Sequence, residues 1–163
     1  MTTRGNILVY FAGAIRGDRV LAPVMREIVA FVQSLGFRVL SEHVAADDPI
    51  ATQKIGQGKG ELLAEDIERQ DIAWLDEATH VIAEISGAST GTGREIEYAR
   101  TKGHLGKTPA VVLCLYRQDR ESFASPMIRG MTPDRYPNVT VCSYRDLDEA
   151  KALIQRFLET GNQ

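Results

Sequence analysis

The sequence predicts an α/β fold, a five-stranded parallel sheet wound with helices on both faces. Three observations lead there. Five short runs rich in Val, Ile and Leu are spaced along the chain, and the segments between them carry apolar residues at helical spacing. The first run, ILVYFAG, is continuously apolar, as in a central strand covered on both sides. Around the third run, in THVIAEISGASTGTGREIEYAR at 79–100, a strand-like segment ends in a small-residue loop and restarts as a charged helix. Strands alternating with helices close into parallel sheets through right-handed crossovers.

Ile7 to Gly13 is the first strand, and the turn AIRG follows it. Asp18 is placed as the N-cap of the first helix, in which Val24, Ile28, Phe31 and Leu35 trace a buried stripe that Gly36 ends. Phe37 to Leu40 forms the second strand, which delivers Ser41, Glu42 and His43. Residues 45–60 hold Pro, three glycines and mixed charge without periodicity, so they are expected to form a mobile loop of the kind used as a lid or binding loop. Glu61 to Ala78 is the second helix, with Leu63, Ile67, Trp74 and Ala78 on its apolar stripe. The gap in that stripe falls on Asp71, and a carboxylate on an inward line is costly unless paired or used.

His80 to Ile85 is the third strand, β-branched and short. In the loop Ser86 to Gly93, three glycines (Gly87, Gly91, Gly93) permit a tight turn with open backbone N–H groups. Helical spacing resumes from Arg94 to Thr101 with Gly103 as the stop, which sets Glu95 in a first helical turn at the carboxyl end of a strand. Pro109 introduces a fourth strand, Ala110 to Tyr116, and Arg117 to Pro137 is irregular. Val139 to Ser143 is the fifth strand; Asp146 and Glu149 then resemble a capping box for a last helix through Leu153, Ile154, Phe157 and Leu158. The economical arrangement is flavodoxin-like, a Rossmann-like doubly wound sheet ordered 2-1-3-4-5, whose ligand edge gathers Tyr10, Arg16, His43, Ser89 and Glu95. Asp71 joins them if the second helix lies across that edge.

The 163 residues, 44% hydrophobic, suit one domain spanning 1–163. A net charge of −3 and a pI near 5.6 leave no electrostatic footprint for a nucleic-acid partner, while local Ser, Arg and backbone N–H groups can still hold one phosphate. Cys114 and Cys142 lie in apolar runs without metal-ligand spacing and are expected to be buried thiols. The start MTTRGN is short and polar, and no apolar run approaches the ~18 residues of a membrane span, so a cytoplasmic protein with no membrane partner is expected.

Two carboxylates, a tyrosine and small hydroxyl residues at one edge suit cleavage of an N-glycosidic bond. Positive charge develops on the sugar ring, one carboxylate stabilises or attacks C1′, and a second carboxyl protonates the leaving base. The pair must sit in different environments, one ionised and one holding a proton near neutral pH. The residues alone also allow Asp71 to be paired with Arg69, Tyr10 to be a core aromatic, and His43 to satisfy a local hydrogen bond.

YFAGAIRG at 10–17, SEHVA at 41–45, QDIAWL at 70–75, AE at 83–84, the run SxGxGxE at 89–95 and MIRG at 127–130 closely resemble the 2′-deoxynucleoside 5′-monophosphate N-hydrolases, within the nucleoside 2-deoxyribosyltransferase superfamily. The resemblance covers nearly the whole chain with its six landmarks in order. It implies that Glu95 is the nucleophile of a retaining glycosyl-enzyme mechanism, that Asp71 transfers the proton to the base, and that Tyr10 orients Glu95. It further implies that Ser89 and the turn residues Ile15, Arg16 and Gly17 hold the 5′-phosphate, and that Gly13 and Gly91 belong to the substrate-binding site. By the same resemblance, Ser125 is expected to be donated to that phosphate by the other subunit of a homodimer, and His43 and Met127 to line the nucleotide pocket. No cofactor is implied. Ala14 stands where the best-known members carry serine, which removes one hydroxyl from the phosphate side, worth ~1 kcal/mol. Two other activities fit the same residues, base exchange by a nucleoside 2-deoxyribosyltransferase and nucleotide sensing without turnover.

Overall fold

The computed structural model describes residues 6–57 and 63–160; the polar start of the chain and the expected beginning of the second helix at Glu61 lie outside the described residues. Five strands, β1 (Leu8–Ala12), β2 (Arg38–Val39), β3 (His80–Glu84), β4 (Val111–Arg117) and β5 (Val139–Tyr144), form one parallel sheet in the predicted order β2-β1-β3-β4-β5. Six α-helices are described with them: α1 (Ala22–Ser34), α2 (Pro49–Gln57), α3 (Ala64–Glu77), α4 (Thr90–Thr101), α5 (Pro126–Arg129) and α6 (Leu147–Thr160).

Alternation along the strands divides the core into two layers. Val9, Phe11, Ile82, Leu113 and Leu115 pack with Met25, Ile28 and Val32 of α1 and Ile154, Phe157 and Leu158 of α6. Tyr10, Ala12, Val81, Ala83, Val112 and Cys114 pack on the other side with Leu75 of α3 and Ile96 and Ala99 of α4. Tyr10 thus shares a layer with the two helices that carry Asp71 and Glu95.

Several local expectations are corrected. The helix α1 starts at Ala22 with no side-chain cap; Asp18 instead accepts from the Val20 amide at 3.0 Å and pairs with Arg120. The second strand is only Arg38–Val39, because Ser41 takes over its ladder: the hydroxyl accepts from Phe11 N at 2.8 Å and donates to Phe11 O at 2.7 Å. His43 then lies in a 3₁₀ turn, Glu42–Ala45. The expected mobile loop is instead helix over Pro49–Gln57, with Asp48 Oδ1 accepting from Ala51 N at 3.0 Å. Asp followed by Pro at the first helical position is a start signal strong enough to outweigh the missing apolar stripe.

On α3 the expected stripe is only partly inward: Leu63 is 55% exposed, and Leu75 rather than Ile67 or Trp74 is the fully buried side chain. Gly103 does not stop α4; a 3₁₀ turn, Lys102–Leu105, follows, and the left-handed residue is Gly106 at φ +75°. The capping of α6 is half a box: Asp146 accepts from Glu149 N at 2.9 Å, but the Glu149 carboxylate turns to Arg145 N at 2.7 Å. Cys114 is buried, which pushes its thiol up to about 12, whereas Cys142 is only partly buried.

The carboxyl end of α3 is anchored by Lys102. Its side chain is fully buried, and the ammonium donates to the carbonyls of Leu75 at 2.5 Å, Asp76 at 3.1 Å and Ala78 at 2.6 Å. A cation is favoured there by the helix dipole, and those carbonyls have no other intrahelical donor. Lys102→Met is expected to lower stability by about 3 kcal/mol through three orphaned carbonyls, read as a lower urea midpoint at unchanged slope.

Candidate active site

The site is built where the turn after β1 meets the loop after β3. A Cβ on Gly17 would come within 2.4 Å of Ala88 O, and one on Gly87 within 2.4 Å of Asp18 O, so each loop uses a glycine to let the other's backbone in. Arg19 ties the β1 turn to the 3₁₀ turn after β2, donating to the carbonyls of Ala14 at 2.7 Å and Ala46 at 2.8 Å.

Helix α4 begins earlier than its sequence pattern suggests. Ser89 is its N-cap, accepting from Thr92 N at 3.2 Å, and Gly91 and Gly93 lie inside the helix. Glu95 is therefore in the second turn rather than the first. Helical side chains lean toward the N-terminus, so Glu95 reaches over Gly91, where no side chain stands in the way.

The Tyr10 hydroxyl donates to Glu95 Oε1 at 2.7 Å, joining β1 to α4. The other oxygen, Oε2, has no hydrogen bond among the described residues. Burial pushes the Glu95 carboxyl up to about 7, assisted by the charge of Asp71 and opposed by the Tyr10 hydrogen bond and Arg94. Burial also raises the Tyr10 phenol well above its ordinary value, with Glu95 and Asp71 adding to it, so the phenol stays a donor. Asp71 is pushed up to about 6, chiefly by burial and then by Glu68. Its Oδ1 is buried without a hydrogen-bond partner among the described residues. Arg69 does not pair with it, turning instead to Asp66 at 3.5 Å. Two carboxyls with raised values facing one space suit proton transfer and nucleophilic attack near neutral pH.

That space is a cavity of about 490 Å³ at the carboxyl ends of β1 and β3. Of the residues singled out in the sequence, it brings together Gly13, Ile15, Arg16, Gly17, Asp71, Ser89, Gly91 and Glu95, with Tyr10 joined through Glu95. A smaller cavity of about 200 Å³ adjoins it and is also lined by Asp71 and Glu95. Arg16 is exposed at the cavity and forms no ion pair among the described residues. No group of His, Cys, Asp and Glu among the described residues is arranged to hold a metal ion.

Three expected residues stand elsewhere. His43 is buried, its ring centroid 5.5 Å from that of Trp74 and its Nε2 without a partner, and burial lowers its pKa to about 4. It lines a separate depression beside α1 with Arg26, Gln33 and Glu42. Ser125 caps the short helix α5, accepting from Met127 N at 3.3 Å, and Met127 is 83% exposed; neither lines the cavity.

The cavity is also lined by residues that the sequence did not mark for the site: Ile50 and Gln53 of α2, Ile67 of α3, expected only as part of an apolar stripe, and Ala88, Thr90 and Thr92 around the start of α4. The Asp-Pro helix start at 48–49 was the available signal for the first two. For Ile67 the signal was its place four residues before Asp71.

Residues 9–142 match the nucleoside 2-deoxyribosyltransferase family. The chain is similar to the 5-hydroxymethyl-dUMP N-hydrolase of Homo sapiens, at 34% identity over 95% of this chain and 81% of the relative. It is also similar to the protein of the same name from Danio rerio, at 31% identity over 93% and 96%. Among solved structures it is similar in fold to the Clostridium botulinum CMP N-glycosidase BcmB, with a TM-score of 0.61 and 18% identity across 91% of this chain and 98% of that one.

The raised carboxyls set a pH dependence of stability. Glu95 moves from its ordinary 4.5 to about 7 and Asp71 from 3.8 to about 6, so between these values the native state holds protons that the unfolded chain has released. Stability must then fall as pH rises from about 4 to about 7. Glu95→Gln keeps an acceptor for Tyr10 and removes the buried charge; its unfolding free energy is expected to exceed wild type by about 2 kcal/mol at pH 8, with the difference fading toward pH 4.

Proposed function

Because the chain belongs to the nucleoside 2-deoxyribosyltransferase family, we propose that it hydrolyses the N-glycosidic bond of 2′-deoxynucleoside 5′-monophosphates, releasing free base and 2-deoxyribose 5-phosphate. The observation that carries this reading is the pair of raised carboxyls on one cavity, Glu95 held by Tyr10 and Asp71 unpartnered. The reactive form of the singly protonated pair carries its proton on Asp71, the minor form because Glu95 at about 7 holds a proton more firmly than Asp71 at about 6; in it, ionised Glu95 attacks C1′ through Oε2 while the C1′–N bond breaks, and Asp71 gives its proton to the departing base. Asp71, now ionised, takes a proton from water as the water oxygen attacks C1′, which frees Glu95 and retains configuration. Tyr10 fixes the carboxylate's orientation and keeps its charge from being neutralised outright by burial.

The 5′-phosphate is placed at the start of α4, where the helix dipole and first-turn N–H groups favour an anion. Ser89 uses its oxygen to accept from Thr92, so its hydroxyl proton remains available to phosphate. Arg16 supplies a positive charge from the facing turn, and Gly17 brings backbone close. Ala14 offers no hydroxyl, and its carbonyl is taken by Arg19.

We place Ser125 and Met127 in the cleft of a second copy of the chain, in a homodimer. What supports this is their position outside this chain's own cavity, on an exposed turn beside Phe123, which is 52% exposed. His43 serves by packing on Trp74, one turn along α3 from Asp71.

Incubation with a panel of deoxynucleoside monophosphates and chromatography of the products is expected to show free base, with Glu95→Gln slower by about 10⁴-fold or more and Asp71→Asn by about 10² to 10⁴-fold. Intact nucleotide with wild-type protein would falsify hydrolysis and favour a sensor. Transfer of the sugar from deoxyinosine to an added base, without hydrolysis of deoxyinosine monophosphate, would favour the base-exchange reading.

The profile of kcat/KM against pH is expected to be bell-shaped, with apparent values for the coupled pair near 6 and 7. Activity rises as the pair loses its first proton and falls as it loses the second. Asp71→Asn should abolish the falling limb. Light scattering is expected to give a dimer, and a fully active monomer would remove Ser125 from the site.

A further inference from the structure

Arg120 does not line the cavity, yet it is fixed to both loops that form the cavity's proposed phosphate end. Its Nη2 donates to Asp18 Oδ2, and its Nε donates to Ser86 O at 3.4 Å. The guanidinium also lies over the Phe123 ring, 3.8 Å from the centroid, so it is held on three sides. Asp18 directly follows Gly17 in the turn after β1, and Ser86 opens the loop that ends at Ser89. Both Gly17 and Ser89 line the cavity.

Asp18 sets a problem that Arg120 solves. Its Oδ1 accepts from the Val20 amide at 3.0 Å, and that bond, with Arg120 adding to it, holds the carboxyl below its ordinary value and therefore ionised. Consecutive residues lie about 3.8 Å apart, well inside the ~8 to 10 Å over which an exposed charge acts at physiological salt. An uncompensated carboxylate beside Gly17 would oppose a dianionic phosphate seated against the same turn. Among the described residues, the cavity lining contributes one cationic side chain, Arg16.

We propose that Arg120 is a positioning residue for the 5′-phosphate: it offsets the charge of Asp18 and holds that carboxylate against the loop after β3, leaving the Gly17 turn open to a dianion. The proposal rests on the reading of the cavity as a deoxynucleotide N-hydrolase site with its phosphate at the start of α4. Because Arg120 acts through Asp18, its contribution falls on substrate affinity and is needed only while residue 18 carries a negative charge. A guanidinium that bound the phosphate itself, or an ion pair that only braced the fold, would be missed whether or not residue 18 were charged.

The test measures kcat and KM separately on deoxynucleoside monophosphates for wild type, Arg120→Gln, Asp18→Asn and the double variant. Arg120→Gln is expected to raise KM about tenfold while kcat stays within about twofold of wild type. Asp18→Asn and the double variant are expected to stay within about threefold of wild type in both constants, so that the second substitution rescues the first. An unchanged KM in Arg120→Gln, a kcat loss as large as the KM change, or a double variant as impaired as Arg120→Gln would overturn the proposal. Asp18→Asn keeps the test decisive should Arg120→Gln fail to fold: it breaks the ion pair without baring a carboxylate, and a KM raised about tenfold by it overturns the proposal too. If wild type releases no base, the hydrolase reading has failed. Calorimetric titration of the same proteins with intact dUMP then decides the role of Arg120 by the same order of affinities, and a wild type that does not bind dUMP overturns it as well.

Discussion

The hydrogen bond from Tyr10 to Glu95 is the contact on which the site depends. It joins β1 to the helix that follows β3, and it holds a carboxylate where burial alone would keep it protonated. Desolvation pushes the proton on and the phenol's donation favours its loss, which leaves Glu95 poised near neutrality. Asp71 arrives from a third element with its own raised value and no cation beside it among the described residues. A fixed cation in that place would have held one carboxyl permanently charged and removed the proton from the pair.

Rigid packing around the cavity makes this arrangement possible. Glycines at 17 and 87 let two loops touch backbone to backbone, and Lys102 closes the end of α3 from beneath. The far side of β3 has its own closed network, in which Glu84 accepts from Ser86 and from Tyr144 at 3.0 Å. That buried carboxyl is satisfied by protein groups, whereas Asp71 is not. The contrast separates a structural acid from one left open toward a cavity.

Asp71 Oδ1 and Gln53 Nε2 are both buried polar atoms without partners, and both residues line the same cavity. Folded proteins keep few such atoms, because each costs the lost hydration of the group. Two such residues lining one cavity, together with two raised carboxyls, fit a site preorganised for a polar ligand rather than for stability.

The parallel sheet with helices on both faces was legible in the sequence, because burial on both faces leaves long apolar runs and the helices between them leave a clear period; the order 2-1-3-4-5 followed by analogy with flavodoxin-like sheets. Tyr10, Asp71 and Glu95 could likewise be marked from strand ends and from the break in an apolar stripe. The second turn of α4 could not, since glycines at 91 and 93 looked like loop while Ser89 capped a helix through them. Pro49–Gln57 was misread because a helix facing a cavity carries no full apolar stripe, and so Gln53 went unnoticed. What the sequence by itself determined was the architecture, and its local pattern also marked Glu95 and Asp71 as candidates. Only the tertiary structure decided which polar groups are left without partners inside the cavity, because a missing hydrogen bond is a property of everything packed around an atom and has no local signature.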